Sequence, residues 1–140
     1  MGKKIDDTTC HCLKMGRSDW NVVSFYDRML KPAGITVGQY SLLNGIEEHD
    51  GCNISELGMW TELDRSTLVR SLKPLFKAGL ICDRKEAGMR DRYLSLTDKG
   101  RQVCSLAKKL WKQAQKRFED ILGKERVTQL EDTLQILVRL

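Results

Sequence analysis

The segment from residue 54 to residue 100 constrains the fold more than any other part of the chain. It holds two short helical patterns in close succession, followed by two short strand patterns separated by a turn. The second helical pattern, residues 64–78, repeats Leu68, Leu72 and Leu75 at helical spacing, so these side chains share one face that is expected to be buried. This order of elements predicts a winged helix-turn-helix, in which the second helix is the recognition helix.

The opposite face of that second helix is polar and basic. Its side chains are hydrogen-bond donors long enough to reach phosphates and base edges in a major groove. The pattern therefore predicts a DNA-reading surface, formed by Ser66, Thr67, Arg70, Lys73 and Lys77.

Composition sets wider bounds on fold and function. A chain of 140 residues with 41% hydrophobic content is long enough for one compact domain, and leucine-rich helical patterns with only two prolines predict a mainly α fold with a small β-hairpin wing. The net charge of +5 and pI near 9.0 favour a polyanionic partner without requiring one. No nucleophile motif, glycine-rich phosphate loop or metal-hydrolase spacing is present, so no enzyme is expected.

Two helices are predicted before the helix-turn-helix. The first runs from about Thr9 to Lys31 and ends at a proline and a glycine, and the second runs from the N-cap Thr36 to about His49. Asn53 or Ser55 then caps the short first helix of the helix-turn-helix.

Further boundaries follow from capping and breaking residues. Asp64 is the expected N-cap of the recognition helix, Pro74 is expected to kink it, and Gly79 to end it. Residues 81–85 and 92–96 are the predicted strands of the wing, with Tyr93 and Ser95 on the face opposite the strand's leucines.

Two helical patterns fill the rest of the chain, separated by Gly123. The first is about 25 residues long, or ~37 Å, so its apolar seam extends beyond a small domain and predicts cover by a second subunit. A self-contained helical hairpin is the alternative. Three regions of one integrated domain are expected: an N-terminal dimerisation helix (1–34), the DNA-binding region (35–97) and C-terminal dimerisation helices (98–140). The expected dimer contacts are Leu106, Leu110, Phe118, Leu130, Leu134 and Leu137.

The cysteines and the N-terminus bear on location and redox chemistry. Five scattered cysteines, no apolar run that spans a bilayer and no signal-peptide core predict a cytoplasmic protein with free thiols and no membrane association. Cys10, His11 and Cys12 form the one local cluster of soft ligands, so they are candidates for a redox or metal site. A tetrahedral metal site would need a further ligand, and the alternative is ordinary residues at a helix start.

Several motifs together resemble the multiple-antibiotic-resistance regulator (MarR) family of bacterial transcription factors. They cover about half of the chain in the order the family has them. The matching segments are Gly34–Leu43, Ile54–Leu57, Leu63–Arg70, Lys77–Leu80 and Leu94–Gly100.

The resemblance implies a nucleoid-associated homodimer that binds a palindromic operator, one half-site for each winged helix. It also implies a sequence-specific regulator of transcription, a repressor released by a small-molecule effector, with no required cofactor. By position, the residues expected to contact double-stranded DNA are Ser55, Arg65, Ser66, Thr67, Arg70, Lys73, Arg90 and Arg92.

The wing departs from the family pattern at one position. The resemblance aligns Arg90 with the family's minor-groove arginine, and Gly88 with the aspartate that usually precedes it by two residues. The missing carboxylate leaves the wing turn unpinned, unless Asp91 or Arg92 takes over part of its role. An arginine at a hairpin tip suits the negative potential of a narrow A·T-rich minor groove.

Family members often bind small aromatic or phenolic effectors between the dimer helices and the DNA-binding region. The aromatic residues expected to line such a pocket are Trp20, Tyr26, Tyr40 and Trp60, although aromatics on an apolar helix face are more often core. Two other functions remain compatible with the sequence: a thiol- or metal-responsive regulator that senses through Cys10 and Cys12, and a winged-helix adaptor that binds proteins.

Overall fold

The computed structural model describes residues 10–140, and within this range the chain forms six α-helices and one two-stranded antiparallel hairpin. The predicted fold class is confirmed. The predicted start of the first helix at Thr9, like the N-terminal residues considered for a signal peptide, lies outside the described residues. The elements are α1 His11–Leu30, a 3-10 turn Lys31–Ala33, α2 Val37–Glu48, α3 Ile54–Thr61, α4 Arg65–Lys77, β1 Ile81–Asp83, β2 Leu94–Leu96, α5 Asp98–Leu122 and α6 Lys124–Leu137.

Capping residues define the starts of the helices in the DNA-binding region. Thr36 and Gln39 form a capping box at the start of α2. Asn53 and Glu56 form another at α3, where Glu56 N donates to Asn53 Oδ1 at 2.8 Å. Asn53 is therefore the cap, which leaves Ser55 exposed on the first turn of α3.

One hydrophobic core joins all three predicted regions of the chain. It takes the end of α1, most of α2, the inner faces of α3 and α4, both strands and the first half of α5. The end of α1 and the first half of α5 thus pack with the winged helix in one unit, to which α6 contributes no buried residue. The largest fully buried side chains are Leu30, Leu43, Ile46, Leu57, Leu68, Leu72, Leu75, Leu94 and Cys104.

The strands of the wing are shorter than predicted, three residues each, with Asp83 opposite Leu94 as the last pair. Beyond this pair, the Asp83 carboxylate receives the backbone amides of Lys85 and Tyr93, so the sheet ladder stops. Ser95, which alternates with Leu94 and Leu96 along β2, is buried as they are. Its hydroxyl accepts a hydrogen bond from Arg84 Nε at 2.9 Å, which covers it.

The start of α5 is bonded to the end of the recognition helix α4. Thr97 N donates to Leu80 O at 3.1 Å, the Thr97 hydroxyl donates to the carbonyl of Gly79, and Lys99 Nζ donates to Ala78 O at 2.9 Å. These bonds satisfy carbonyls that a helix end leaves without partners. The close approach requires a glycine, because a Cβ at Gly100 would lie 1.9 Å from Leu80 O.

The apolar residues of α5 lie partly in the core and partly at the surface. Cys104 and Ala107 are fully buried, whereas Leu106 is 43% exposed. Leu110 packs against the core, and the Phe118 ring lies 6.0 Å from that of Tyr26 between ring centres, so these two predicted dimer residues have partners within the chain.

The terminal helices keep a large apolar surface exposed. In α6 no residue is buried, and Leu134 is 48% exposed. Trp20 on α1 is 75% exposed. None of the helices within residues 10–140 is both long enough and apolar enough to cross a membrane.

Candidate nucleic-acid interface

A polar cleft of about 420 Å³ separates the wing from the first turns of α3 and α4. It brings together four of the predicted DNA contacts, which come from three different parts of the chain. Ser55 belongs to α3, Arg65 to the first turn of α4, and Arg90 and Arg92 to the wing. The remaining lining residues are Asn53, Ile54, Val69, Asp83, Lys85 and Asp91.

The other predicted contacts lie along α4. The Arg70 side chain is exposed and folds back toward the start of its own helix, with Nε 3.4 Å from Ser66 O and Nη2 3.5 Å from the Thr67 hydroxyl. These are long, weak hydrogen bonds, so little free energy opposes the extension of Arg70 toward a ligand. Lys73 is exposed one turn further along and borders a small depression shared with Arg92.

The first turn of α4 has its own polar arrangement. Asp64 stands at the N-cap, and the Ser66 hydroxyl donates to its carboxylate at 2.8 Å. Hydrogen bonds from Thr67 and Ser66 lower the pKa of the Asp64 carboxyl. The helix dipoles of α3 and α4 place partial positive charge at their starts, which border the cleft.

Asp83 fixes the base of the wing, and Arg92, one of the two residues expected to take over part of this role, pairs with it. Its Oδ1 accepts from Tyr93 N at 2.9 Å and Lys85 N at 3.0 Å, and its Oδ2 lies 3.4 Å from Arg92 Nη1. Partial burial alone would raise the pKa of this carboxyl, but the two amide bonds and the charges of Arg92 and Lys85 lower it below its ordinary value. The carboxylate is thus charged at neutral pH.

Sequence reasoning missed Lys85, Asn53 and Asp83 as residues of the cleft. The sequence predicts Lys85 as a strand residue and Asn53 as a helix cap. Neither prediction indicates that the side chain also lies at the cleft wall. The signal that could have identified Lys85 is a basic residue directly after a short strand. No sequence signal pairs Asp83 with Tyr93, because their contact depends on the path of the turn between them.

The four aromatic residues predicted to line an effector pocket do not come together within the described chain. Trp20 is exposed on α1, and Trp60 on α3 stacks on His49 with ring centres 3.6 Å apart. Tyr26 is buried between α1 and α5, where its hydroxyl donates to Gln115 Oε1. The effector pocket that these residues are expected to line, between the dimer helices and the DNA-binding region, therefore stays a prediction.

Tyr40 alone of these four lines a groove of about 600 Å³, between α2 and α5. The Trp111 ring lies 6.1 Å from the Tyr40 ring between ring centres. The groove combines this aromatic floor with polar and charged side chains, which are Ser41, Asn44, Glu48, Lys108 and Lys112; Val37 completes it.

The five cysteines differ in exposure, and Cys82 in β1 is half-buried. Cys12 is exposed and Cys10 half-buried at the start of α1, whereas Cys52 and Cys104 are buried in the core. Burial raises the pKa of each of these two core thiols to about 11, so both stay protonated and unreactive at neutral pH. His11 and Cys12 are consecutive on a helix and point in different directions, and no three His, Cys, Asp or Glu side chains within residues 10–140 are grouped to hold a metal ion.

Comparison with known proteins agrees with this architecture. Residues 35–86 match the MarR family. The HTH-type transcriptional regulator SarZ of Staphylococcus epidermidis is 33% identical over 93 residues, which are 66% of this chain and 63% of SarZ. The chain thus spans less than two thirds of the length of the curated relatives it matches.

Solved structures cover the chain more completely. The transcriptional regulator MosR of M. tuberculosis, in complex with DNA, is 30% identical, with a TM-score of 0.77 over 93% of this chain and 96% of MosR. The transcriptional repressor CouR, bound to p-coumaroyl-CoA, has a TM-score of 0.87 at 24% identity, over 99% of each chain, and shares the fold. The winged helix and the family match together define the class, and the chain belongs to the MarR family.

Proposed function

We propose that this protein is a sequence-specific regulator of transcription that binds double-stranded DNA as a homodimer. The single observation that carries the proposal is the cleft in which Ser55, Arg65, Arg90 and Arg92 converge from the two helices and the wing. A recognition helix with a basic exposed face beside a basic hairpin fits a major groove and the adjacent minor groove. The 30% identity to MosR, which was solved with DNA, supports the same function.

Each exposed residue has a part in this proposal. Arg70 and Thr67 reach base edges from α4, Ser66 supports Arg70 from the same turn, and Lys73 contacts phosphate. Arg90 enters the minor groove beside the site that α4 reads. Ser55 and Arg65 bind phosphate at the helix starts.

Dimerisation through α1, α5 and α6 supplies the second half-site. The exposed apolar residues Leu106 and Leu134, together with the absence of any buried residue in α6, support a subunit interface because single chains seldom leave so much apolar surface in water. Two-fold symmetry then places the half-site centres about one helical turn, ~10 bp, apart in a palindrome.

The proposed activity is repression that a small molecule relieves. The groove between α2 and α5 supports this part, because it lies where the dimerisation helix α5 meets the DNA-binding region and has an aromatic floor in Tyr40 and Trp111. Lys108 and Lys112 on its rim favour an anionic aromatic compound. A ligand that binds there can shift the angle between the two winged helices only if it prefers one arrangement.

Selection of duplexes from a random library tests the proposal. The full chain should enrich a palindrome with half-sites about 10 bp apart, and the variant Arg70→Ala should enrich a less constrained sequence at the same spacing. Failure to enrich any sequence over the input library would contradict sequence-specific binding. In that case, protein binding by the same surface becomes the better explanation.

A further inference from the structure

Arg92 lies on the wall of the cleft, but its guanidinium already has partners on two sides. Nη1 lies 3.4 Å from Asp83 Oδ2, and the guanidinium carbon lies 5.4 Å from the centre of the Phe76 ring on α4. A planar guanidinium can pair with a carboxylate through its edge while its face covers an aromatic ring. Arg92 therefore connects the wing to the recognition helix.

The carboxylate in this arrangement is well placed to hold both limbs of the hairpin. Asp83 Oδ1 receives an amide from each limb, that of Lys85 and that of Tyr93. The side chain of Asp83 is 21% exposed, whereas that of Arg92 is 49% exposed. An ion pair with one sheltered partner and fixed hydrogen bonds is held more firmly than a fully exposed pair.

We propose that Asp83 and Arg92 are positioning residues that fix the angle of the wing relative to the recognition helix, and that Arg92 is not a phosphate contact. This inference rests on the proposed DNA-binding function and assigns Arg92 a different role from the one predicted by position. We call the Asp83–Arg92 pair, with its contact to Phe76, the brace. The placement of Arg90, two residues before Arg92, then depends on the brace. No carboxylate within residues 10–140 pairs with Arg90, so its charge remains available to DNA.

The other strand arginine shows why Arg92 is the relevant one. Arg84 Nε donates to the Ser95 hydroxyl, and Arg84 Nη2 lies 2.8 Å from Asp50 Oδ2, in the connection after α2. The Tyr93 ring lies below the same guanidinium, 5.0 Å from its carbon. Arg84 thus joins the wing to the scaffold, whereas Arg92 joins the wing to the helix that reads the groove.

The test compares Arg92→Ala, Asp83→Asn and the control Lys73→Ala on one selected palindrome with A·T-rich or G·C-rich flanks. Dissociation constants are measured between 50 and 200 mM salt. Asparagine keeps the oxygen that receives the two amides and removes the charge that pairs with Arg92. Arg92→Ala and Asp83→Asn should each keep the wild-type salt slope and lose most of the flank preference, which is the ratio of the affinities for A·T-rich and G·C-rich flanks. The double variant Arg92→Ala with Asp83→Asn should lose no more of this preference than either single variant. Lys73→Ala removes one phosphate contact from each subunit of the dimer, so it should reduce the slope by about 1.8 and keep the flank preference.

The opposite pattern would overturn the inference. If Arg92→Ala lowers the salt slope by about 1.8, one phosphate contact for each subunit, while Asp83→Asn leaves the flank preference unchanged, Arg92 is a phosphate contact and no brace exists.

A second arm needs no DNA and separates the brace from the proposed function. If the wild-type chain shows no salt-dependent binding to any duplex, the proposed function fails. The brace is then tested by NMR alone, through the titration of the Asp83 carboxyl and the exchange rates of two backbone amides. The pKa of the Asp83 carboxyl should rise in Arg92→Ala, and the amides of Lys85 and Tyr93 should exchange faster. Unchanged titration and exchange would contradict the brace.

Discussion

Replacement of Gly100 by alanine tests the contact between the dimerisation helix α5 and the end of the recognition helix. The added Cβ would lie 1.9 Å from Leu80 O and 2.9 Å from Leu80 C. Ordinary contacts of this kind need about 3.4 Å, so the two backbones must separate by roughly 1.5 Å. Such a shift breaks or lengthens the bonds that Thr97 and Lys99 donate to the end of α4.

Two contributions lower the stability of the Gly100→Ala variant, and one raises it. Overpacking costs about 1–3 kcal/mol, and each disrupted hydrogen bond costs about 0.5–1.5 kcal/mol. Alanine in place of glycine in a helix returns about 0.5–1 kcal/mol. With three hydrogen bonds affected, we therefore expect the free energy of unfolding to fall by roughly 1.5–7 kcal/mol, which is a large part of a typical domain's total.

Urea unfolding followed by circular dichroism measures this loss, at one fixed protein concentration because a dimer's stability depends on concentration. Gly38→Ala in the first turn of α2 is the matched control, since its added Cβ would have only the Thr36 hydroxyl nearby, at 3.9 Å. The free energy of unfolding of Gly38→Ala should equal that of the wild type or exceed it slightly. Equal stability of the two variants would refute the close-contact explanation of Gly100.

Three further outcomes are expected. Sedimentation at micromolar concentration should give a dimer, and charged substitutions at Leu106 and Leu134 should produce monomers; a wild-type monomer with full helicity would exclude the interface. Arg90→Ala should weaken binding mainly to operators with A·T-rich flanks, whereas equal losses on all flanks would assign Arg90 to phosphate. The double change Cys10→Ser and Cys12→Ser should preserve DNA affinity under reducing conditions; if peroxide lowers the affinity of the parent alone, the thiol-sensor alternative is supported.

The helices and their boundaries could be predicted because their signals are local. Thr36 caps α2 as expected, proline and glycine follow the end of α1, and Gly79 follows the end of α4. The buried face of α4 also followed directly from leucines at helical spacing. Local sequence was sufficient here because capping and periodicity involve residues within four positions of each other.

The cleft could be predicted only in part. The exposed basic residues of α4 and the wing were recognisable, but their convergence with Ser55 is set by how three elements pack. The role of Asp83 in fixing the base of the wing was not predicted. Its hydrogen bonds to Tyr93 and Arg92 cross the turn between the strands, and that turn has no regular structure. The arrangement of the four aromatic residues could not be predicted for the same reason, since helical periodicity does not tell which helix faces which.

The salt dependence of operator binding tests the central claim most directly. Fluorescence anisotropy with the selected palindrome and a scrambled duplex, each between 50 and 200 mM salt, gives affinity and slope together. A dimer with about 6–10 phosphate contacts should lose about 10³–10⁵ in affinity over this range and should bind the palindrome more tightly than the scrambled duplex at every salt concentration. Binding that is independent of salt, or equal for both duplexes, would contradict sequence-specific DNA recognition by the winged helix.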